Sequence, residues 1–251
     1  MAEYTSRSFD LLTLGQLLLR LSPPDNDRLS RGDTFVKQVG GAELNVAVGA
    51  SLLGLRTGVI SKLPSHDIGS FMKGKIRSFG VSDDFFMYDD SPSARVGIYY
   101  YENGAYPRKP KVIYDRMNSS FFSLNIDEIP KEVYTASKCF HTTGITLALS
   151  PQIRETTIEM IKRFKEAGTL VSFDVNFRGN LWSGDEAREC ILKILPYVDI
   201  FFCSEDTARL TFLKTGTAKE MMKSFTEEYP ISIVASTQRI VHSPKRHTSV
   251  L

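Results

Sequence analysis

The chain has 251 residues, 42% of them apolar and 24% charged, which supplies enough hydrophobic matter for a sizeable core and argues against disorder. Thirty-one basic and twenty-nine acidic residues give a formal net charge of +2. With no long run of one sign, wholesale electrostatic binding of nucleic acid is not expected.

The three cysteines, Cys139, Cys190 and Cys203, are odd in number, far apart and set in or near apolar runs. That pattern fits reduced, buried thiols better than disulfides or a metal cluster. The start MAEYTSRSFD has no basic segment leading into an apolar stretch, and no run reaches the roughly eighteen apolar residues of a membrane span. A soluble, cytoplasmic protein with no membrane partner is expected.

In chain order, residues 9–14 form the first predicted strand. Residues 22–40 break the rhythm with a PPDND turn cluster and the alternating run TFVKQV. The stretch VGGAELNV (39–46) ends that run and leads into a helix over 45–53. Paired glycines let backbone approach a ligand closely, and the free N–H groups of a helix start favour electronegative oxygens. A Gly-Gly turn is also often only a turn. Neither the Walker A ending nor the G-x-G-x-x-G spacing is present.

A strand over 57–62 and a helix over 68–79 follow. Then RVGIYYY (95–101) and KVIYD (111–115), separated by a Gly/Pro turn region, predict an antiparallel hairpin. A lone hairpin is marginal in water, so these strands should pack on the main sheet as a lid or against another subunit. Tyr99 and Tyr101 share one face and Tyr100 takes the other, so Tyr100 fits a subunit interface as well as anything else.

The remainder alternates: strands over 139–143, 170–174, 200–203 and 231–236, with helices over 151–167, 184–195 and 217–228 between them. Runs such as LVSFD and DIFFC are apolar on both faces, as in a parallel sheet covered by helices on both sides. Ligands of such sheets bind beyond the carboxyl ends of the strands. Three predicted strand ends carry polar groups there: Thr142, Thr143 and Gly144; Asp174, Asn176 and Arg178; Ser204 and Glu205. Asp174 and Asn176 equally suit a role as turn caps. His66 and His141 have no metal-ligand partners at useful spacing and are read as structural.

The ordered set VGGAELNVAVGASLLGLRTGVISKL, GIYYY, VIYDR, HTTGITLALSP, SFDVNFRGNLW and FFCSEDTARLTF resembles the ribokinase-like (PfkB) carbohydrate kinases, closest to the 2-keto-3-deoxygluconate kinases. The likeness runs from about residue 9 to about 236. It implies an α/β fold with a mainly parallel sheet flanked by helices and a small β-strand lid, in one domain with lid insertions at about 16–40 and 92–118. It implies ATP-dependent phosphorylation of a keto-deoxy sugar acid with Mg2+, in a homodimer joined through the lid strands.

Position by position, the resemblance puts Gly41 and Asn45 on sugar hydroxyls, Tyr99, Tyr114 and Arg116 on the lid over the sugar, and Arg178 on the substrate carboxylate. Asp174, Asn176, Ser204 and Glu205 would lie near the nucleotide and magnesium. The charge argument supports Arg178 independently, since a carboxylate shut away from water needs a paired, fork-shaped cation. A surface salt bridge is the alternative role for Arg116 and Arg178.

Departures from the family pattern are also visible. Its D-x-x-G-A-G-D segment, which carries the catalytic base, is not among these residues and is expected beyond residue 251. The Asn-x-x-Glu of the magnesium region reads Ser204, Glu205, Asp206, Thr207; the usual LGE reads LGQ at Gln16; and Pro64 replaces a glycine in LPSHDIG. Lys245, Arg246 and His247 read as a solvated tail. A kinase of fructose or 5-keto-2-deoxygluconate, or a sugar-binding pseudokinase, remains open at this level.

Overall fold

The computed structural model describes residues 6–243 and 246–250; Lys245 and the side chains of Arg246 and His247 lie outside that description. In chain order the strands are β1 (Phe9–Leu14), β2 (Leu18–Ser22), β3 (Val36–Gly40), β4 (Thr57–Pro64), β5 (Val81–Ser82), β6 (Phe86–Asp89), β7 (Gly97–Glu102), β8 (Lys111–Asp115), β9 (Ser137–Thr143), β10 (Leu170–Asp174), β11 (Ile200–Phe202), β12 (Ile233–Ala235), β13 (Gln238–Ser243) and β14 (Arg246–Val250). The α-helices are α1 (Ala42–Leu52), α2 (Asp67–Arg77), α3 (Val133–Ala136), α4 (Gly144–Ala148), α5 (Pro151–Glu166), α6 (Gly184–Ile194), α7 (Glu205–Leu210) and α8 (Ala218–Glu228).

The main sheet runs β12-β11-β10-β9-β1-β4-β5, with β6 also on β4, and every pairing in it is parallel. Parallel strands place all their carboxyl ends on one edge. The chain winds from β1 outward to β4 on one side and later fills β9 to β12 on the other, so β1 is the point where the winding reverses and the crevice opens. Gln16 lies just past the end of β1.

Local chemistry fixes the helices around this sheet. Ser183 with Glu186 and Thr217 with Glu220 form capping boxes at the starts of α6 and α8, and Ser150 caps α5 with Pro151 in the first turn. His66 caps α2 by accepting the Ile68 amide, and His141 is buried against the Ser172 hydroxyl at 2.9 Å. Phe140, Phe164, Phe173, Phe201 and Phe225 are fully buried between the sheet and its helices. The cysteines are free thiols, and burial pushes Cys139 and Cys203 up to about 12.

A second sheet, β3-β2-β7-β8, stands beside the first. Its Leu19, Leu21, Val39 and Ile98 pack on a core cluster with Leu44, Val59, Met72 and Ile76 beneath α1 and α2. Alternation puts Arg20, Tyr99, Tyr101 and Tyr114 on the opposite face, where the Arg20 guanidinium lies 4.3 Å from the Tyr101 ring centre. Tyr100 follows the Leu21 and Ile98 side and meets Phe35 edge to face at 6.1 Å, so a partner within the chain accounts for part of its apolar surface.

Candidate functional site

The strand edge at the winding reversal opens into a cleft of about 360 Å3 lined by Gln16, Gly41, Glu43, Asn45, Tyr99, Tyr114, Arg116, Asn176, Arg178 and others. Residues from two sheets and one helix start meet there. A neighbouring cleft of about 300 Å3 is lined by Asp174, Asn176, Arg178, Ser204, Thr207 and Thr237 among others. Asn176 and Arg178 line both, so the two clefts adjoin.

The floor is the start of α1. Gly41 has φ +154°, and a Cβ there would stand 2.9 Å from the Gln16 carbonyl oxygen, so only glycine lets the chain pass this close to the end of β1. No side chain caps α1. The start of α1 lines the cleft, and although the Glu43 amide meets its own carboxyl, a helix start suits ligand oxygens. Asn45, one turn along, reaches the same space.

The wall is the aromatic face of the second sheet. Tyr99 and Tyr114 are cross-strand partners with ring centres 5.9 Å apart, and a Cβ on Gly40 would come 2.6 Å from the Tyr99 hydroxyl. Burial raises the Tyr99 phenol above its ordinary value, so it stays a neutral hydroxyl.

Two guanidinium groups face this space. Arg116 donates Nε–H to Gln16 Oε1 at 2.8 Å, while Gln16 Nε2 donates to the Arg116 carbonyl at 2.9 Å and to Ser119 Oγ at 2.7 Å. Burial lowers the Arg116 value; Glu43 opposes that shift and Arg178 adds to it. Two cations that repel across one cleft favour an anion between them. Arg178 is exposed at the rim, where its Nη1 donates to the Phe177 carbonyl at 3.3 Å.

Glu43 is the buried carboxyl of the site. Its Oε1 accepts from the Thr143 hydroxyl at 2.6 Å and the Thr146 hydroxyl at 2.7 Å, and burial raises its value above the usual carboxylate range. The folded protein therefore binds the Glu43 proton more tightly than the unfolded chain does. This stabilisation is complete below the unfolded value of 4.5 and is lost as pH rises through the folded value. Glu43→Gln keeps the acceptor for both hydroxyls and removes the ionisation. It should raise Tm over the wild type at pH 7.5, by about 2–4 °C per kcal/mol recovered, and not at pH 4, as read by thermal melts across pH.

The residues picked out in the sequence divide clearly. Gly41, Asn45, Tyr99, Tyr114, Arg116 and Arg178 line the first cleft, and Asp174, Asn176 and Ser204 line the second. Asp174 Oδ1 accepts the Asn176 amide at 2.9 Å, with Asn176 at φ +38°, so its turn-capping role coexists with its place on the cleft. Burial raises the Asp174 carboxyl. Glu205 is not brought in: it pairs with Arg209 at 3.0 Å on α7 and lines neither cleft. Ser204 Oγ caps α7 through the Thr207 amide. Glu43 and Gln16 were not assigned to the site from sequence, since their partners lie about a hundred residues away.

The family described as pfkB family carbohydrate kinase matches residues 8–238. The 2-dehydro-3-deoxygalactonokinase of Haloferax volcanii is 35% identical over 229 residues, 91% of this chain and 71% of that protein. The probable fructokinase-3 of Arabidopsis thaliana is 32% identical over 225 residues, 88% of this chain and 64% of that protein. The crystal structure of 2-dehydro-3-deoxygluconokinase from Thermotoga maritima superposes with a TM-score of 0.85 at 31% identity, covering 92% of this chain and 72% of that one.

Proposed function

The chain belongs to the pfkB family of carbohydrate kinases, and from that premise we propose that it takes part in ATP-dependent phosphorylation of a keto-deoxy sugar acid, 2-keto-3-deoxygluconate, at its terminal primary hydroxyl. The observation that carries this reading is the pair of guanidinium groups, Arg116 and Arg178, on one cleft. A neutral sugar gives no reason to gather two cations there, whereas a carboxylate does. Both a sugar-acid kinase from Haloferax and one from Thermotoga are among its similar proteins, which supports the same choice.

In this reading Arg116 and Arg178 hold the carboxylate, the helix start at Gly41 and the Asn45 side chain meet hydroxyls, and Tyr99 and Tyr114 cover the carbon chain. The reacting hydroxyl then points past Asn176 toward the second cleft, where the nucleotide phosphates would lie. Among the described residues lining that cleft, Asp174 is the only carboxylate. One carboxylate completed by waters and phosphate oxygens suits magnesium. The ion, when bound, would supply charge stabilisation to the transferring phosphoryl group. The general base is not assigned to any residue described.

The second sheet acts as the lid of a single domain, closing on the sugar to keep water from the phosphates. Its outer strands are exposed along all of β8 and over residues 36–38 of β3, with Val36, Val112 and Ile113 in the open. Pairing of two copies through this sheet follows from the edge argument, and light scattering at twice 28.2 kDa checks it. A cytoplasmic location is supported by the free thiols; among the described residues, no helix is long and apolar enough to cross a membrane. Fractionation of the native host checks that location.

Calorimetric titration with 2-keto-3-deoxygluconate, its galactonate epimer, 5-keto-2-deoxygluconate and fructose tests the acceptor assignment. The 2-keto-3-deoxy acids should bind at least about tenfold more tightly than fructose, a gap of about 1.4 kcal/mol. Tighter binding of fructose would overturn the assignment.

A further inference from the structure

A cleft read as holding a substrate carboxylate already contains a carboxyl of its own. Among the described residues lining the first cleft, the charged groups are Arg116, Arg178 and Glu43, with Gln16 neutral beside them. Glu43 is 2% exposed and lies in the first turn of α1. Its Oε1 accepts the Thr143 and Thr146 hydroxyls, its own amide adds a further donor, and its Oε2 lies so close over Gly15 that a Cβ there would collide with it. The ends of β1 and β9 and the start of α4 thus grip one carboxyl at the floor of the cleft.

The elements packed around Glu43 set its charge. The second sheet brings Arg116 and the phenols Tyr99 and Tyr114, and the segment after β10 brings Arg178 to this cleft and Asp174 to the neighbouring one. β9 brings His141, tied to Ser172 and pushed down to about 4 by burial, so that it is uncharged near neutral pH. From β4, Ser61 donates to the Gly15 carbonyl at 2.9 Å and Lys62 pairs with Glu128. Burial is the strongest influence on Glu43 and favours the protonated acid; the two hydroxyls and the Arg116 charge pull the other way.

A ligand carboxylate upsets that balance. Once it sits on Arg116 and Arg178, the cation no longer serves Glu43, and a second negative charge stands in the same cleft. Two anions sharing one site shielded from water are relieved when one of them takes a proton. The guanidinium groups keep the ligand ionised, so the proton goes from solvent to Glu43. A neutral sugar makes no such demand.

We propose that Glu43 is an exchangeable counter-ion of the acceptor cleft: it balances Arg116 while the cleft is empty and takes up a solvent proton when an acidic acceptor replaces it, so that binding of acids, and not of neutral sugars, is coupled to protonation. This rests on the reading that the first cleft takes a sugar acid. Between the Glu43 value of the empty protein and its higher value in the complex, binding consumes a proton, and acid affinity falls as pH rises through that window.

Calorimetric titration of 2-keto-3-deoxygluconate in buffers of different ionisation enthalpy, repeated from about pH 5 to 9, reads the uptake directly. The wild type should take up at least about 0.2 proton per acid bound at the peak, with Kd rising by up to about tenfold per pH unit there, while fructose binds without uptake. Glu43→Gln should bind the acid as the wild type does at low pH, with the uptake gone and Kd flat across the same range. If thermal melts show that Glu43→Gln does not fold, the uptake is followed in Asp174→Asn, where its persistence supports the proposal and its loss overturns it. Smaller uptake at every pH overturns the proposal, as does uptake that survives in Glu43→Gln or accompanies fructose equally. Weaker acid binding by Glu43→Gln at every pH would mean a merely structural role and overturn it too. A wild type that prefers fructose overturns the acceptor assignment itself, whereas preferential acid binding without uptake removes only the role of Glu43.

Discussion

Arg116→Ala and Arg178→Ala should each weaken binding of 2-keto-3-deoxygluconate by about 2–5 kcal/mol, the usual loss when one partner of a desolvated charge pair is removed. At 1.4 kcal/mol per decade that is roughly thirtyfold to several thousandfold in Kd. The two should not be equal. Arg116 is half-buried, fixed by Gln16 and flanked by the Tyr114 ring at 5.7 Å, so its truncation falls at the upper end. Arg178 is exposed at the rim, where water can partly replace it, and belongs at the lower end. Fructose, with no carboxylate, should lose less than threefold in either variant. Calorimetry on both sugars decides the matter: a loss below threefold on the acid in both variants removes the carboxylate pairing and leaves only the fold.

How much of this is legible in the sequence differs between sheet and site. The strands over 9–14 and 170–174 are read correctly to the residue, because an apolar run covered on both faces leaves no ambiguity of register. The first helix is expected at 45–53 and found at Ala42–Leu52, since the chain enters it directly from Gly41. β2 falls inside the expected lid insertion at about 16–40 but is not itself read as a strand. Its LLRLS lies close after β1 and differs from it only in its partners, β3 and β7, which pairing across the second sheet supplies. The short helices α4 and α7 are missed for lack of enough turns to show a period.

The site divides along the same line. Gly41, Tyr99, Tyr114 and Arg178 stand out as residue types placed where a strand or turn ends, so their convergence on one cleft could be anticipated. Glu43 sits in the quoted VGGAELNV, yet nothing local marks it as buried; that depends on Thr143 and Thr146 arriving from β9 and α4. Gln16 is visible only as an odd residue until Arg116 is brought against it. Glu205 shows the reverse error, because its place after a strand end suggests the cleft while its spacing to Arg209 gives it a helix-surface partner instead. Sequence reading finds what strand ends offer, and tertiary contacts decide which offers are taken.

Phe201→Ala should cost about 3–5 kcal/mol of stability, the range for emptying a fully buried aromatic site. Phe201 in β11 has no exposed surface and is surrounded by Phe173 at 6.4 Å, Phe212 at 6.1 Å and Phe225 at 5.0 Å, contributed by the neighbouring strand, the segment after α7, and α8. A cavity at that meeting point has rigid walls from separate elements, so collapse is hindered and the loss should not be small. For a domain of this size the cost corresponds to a fall in Tm of roughly 6–20 °C, a large part of the 5–15 kcal/mol that usually holds such a fold. The damage should also be directional. β11 leads into Ser204, and the Phe202 carbonyl accepts the Val175 amide at 3.0 Å, so the second cleft depends on this strand. The first cleft rests mostly on β1, α1 and the second sheet, and among the described residues shares with the second cleft only Asn176 and Arg178 from the segment after β10. Well below its lowered Tm, Phe201→Ala should therefore bind the sugar acid within about twofold of wild type while binding nucleotide more weakly. Denaturant melts and paired titrations read both effects, and a stability loss under about 1 kcal/mol would mean that the aromatic cluster does not tie β11 to its helices.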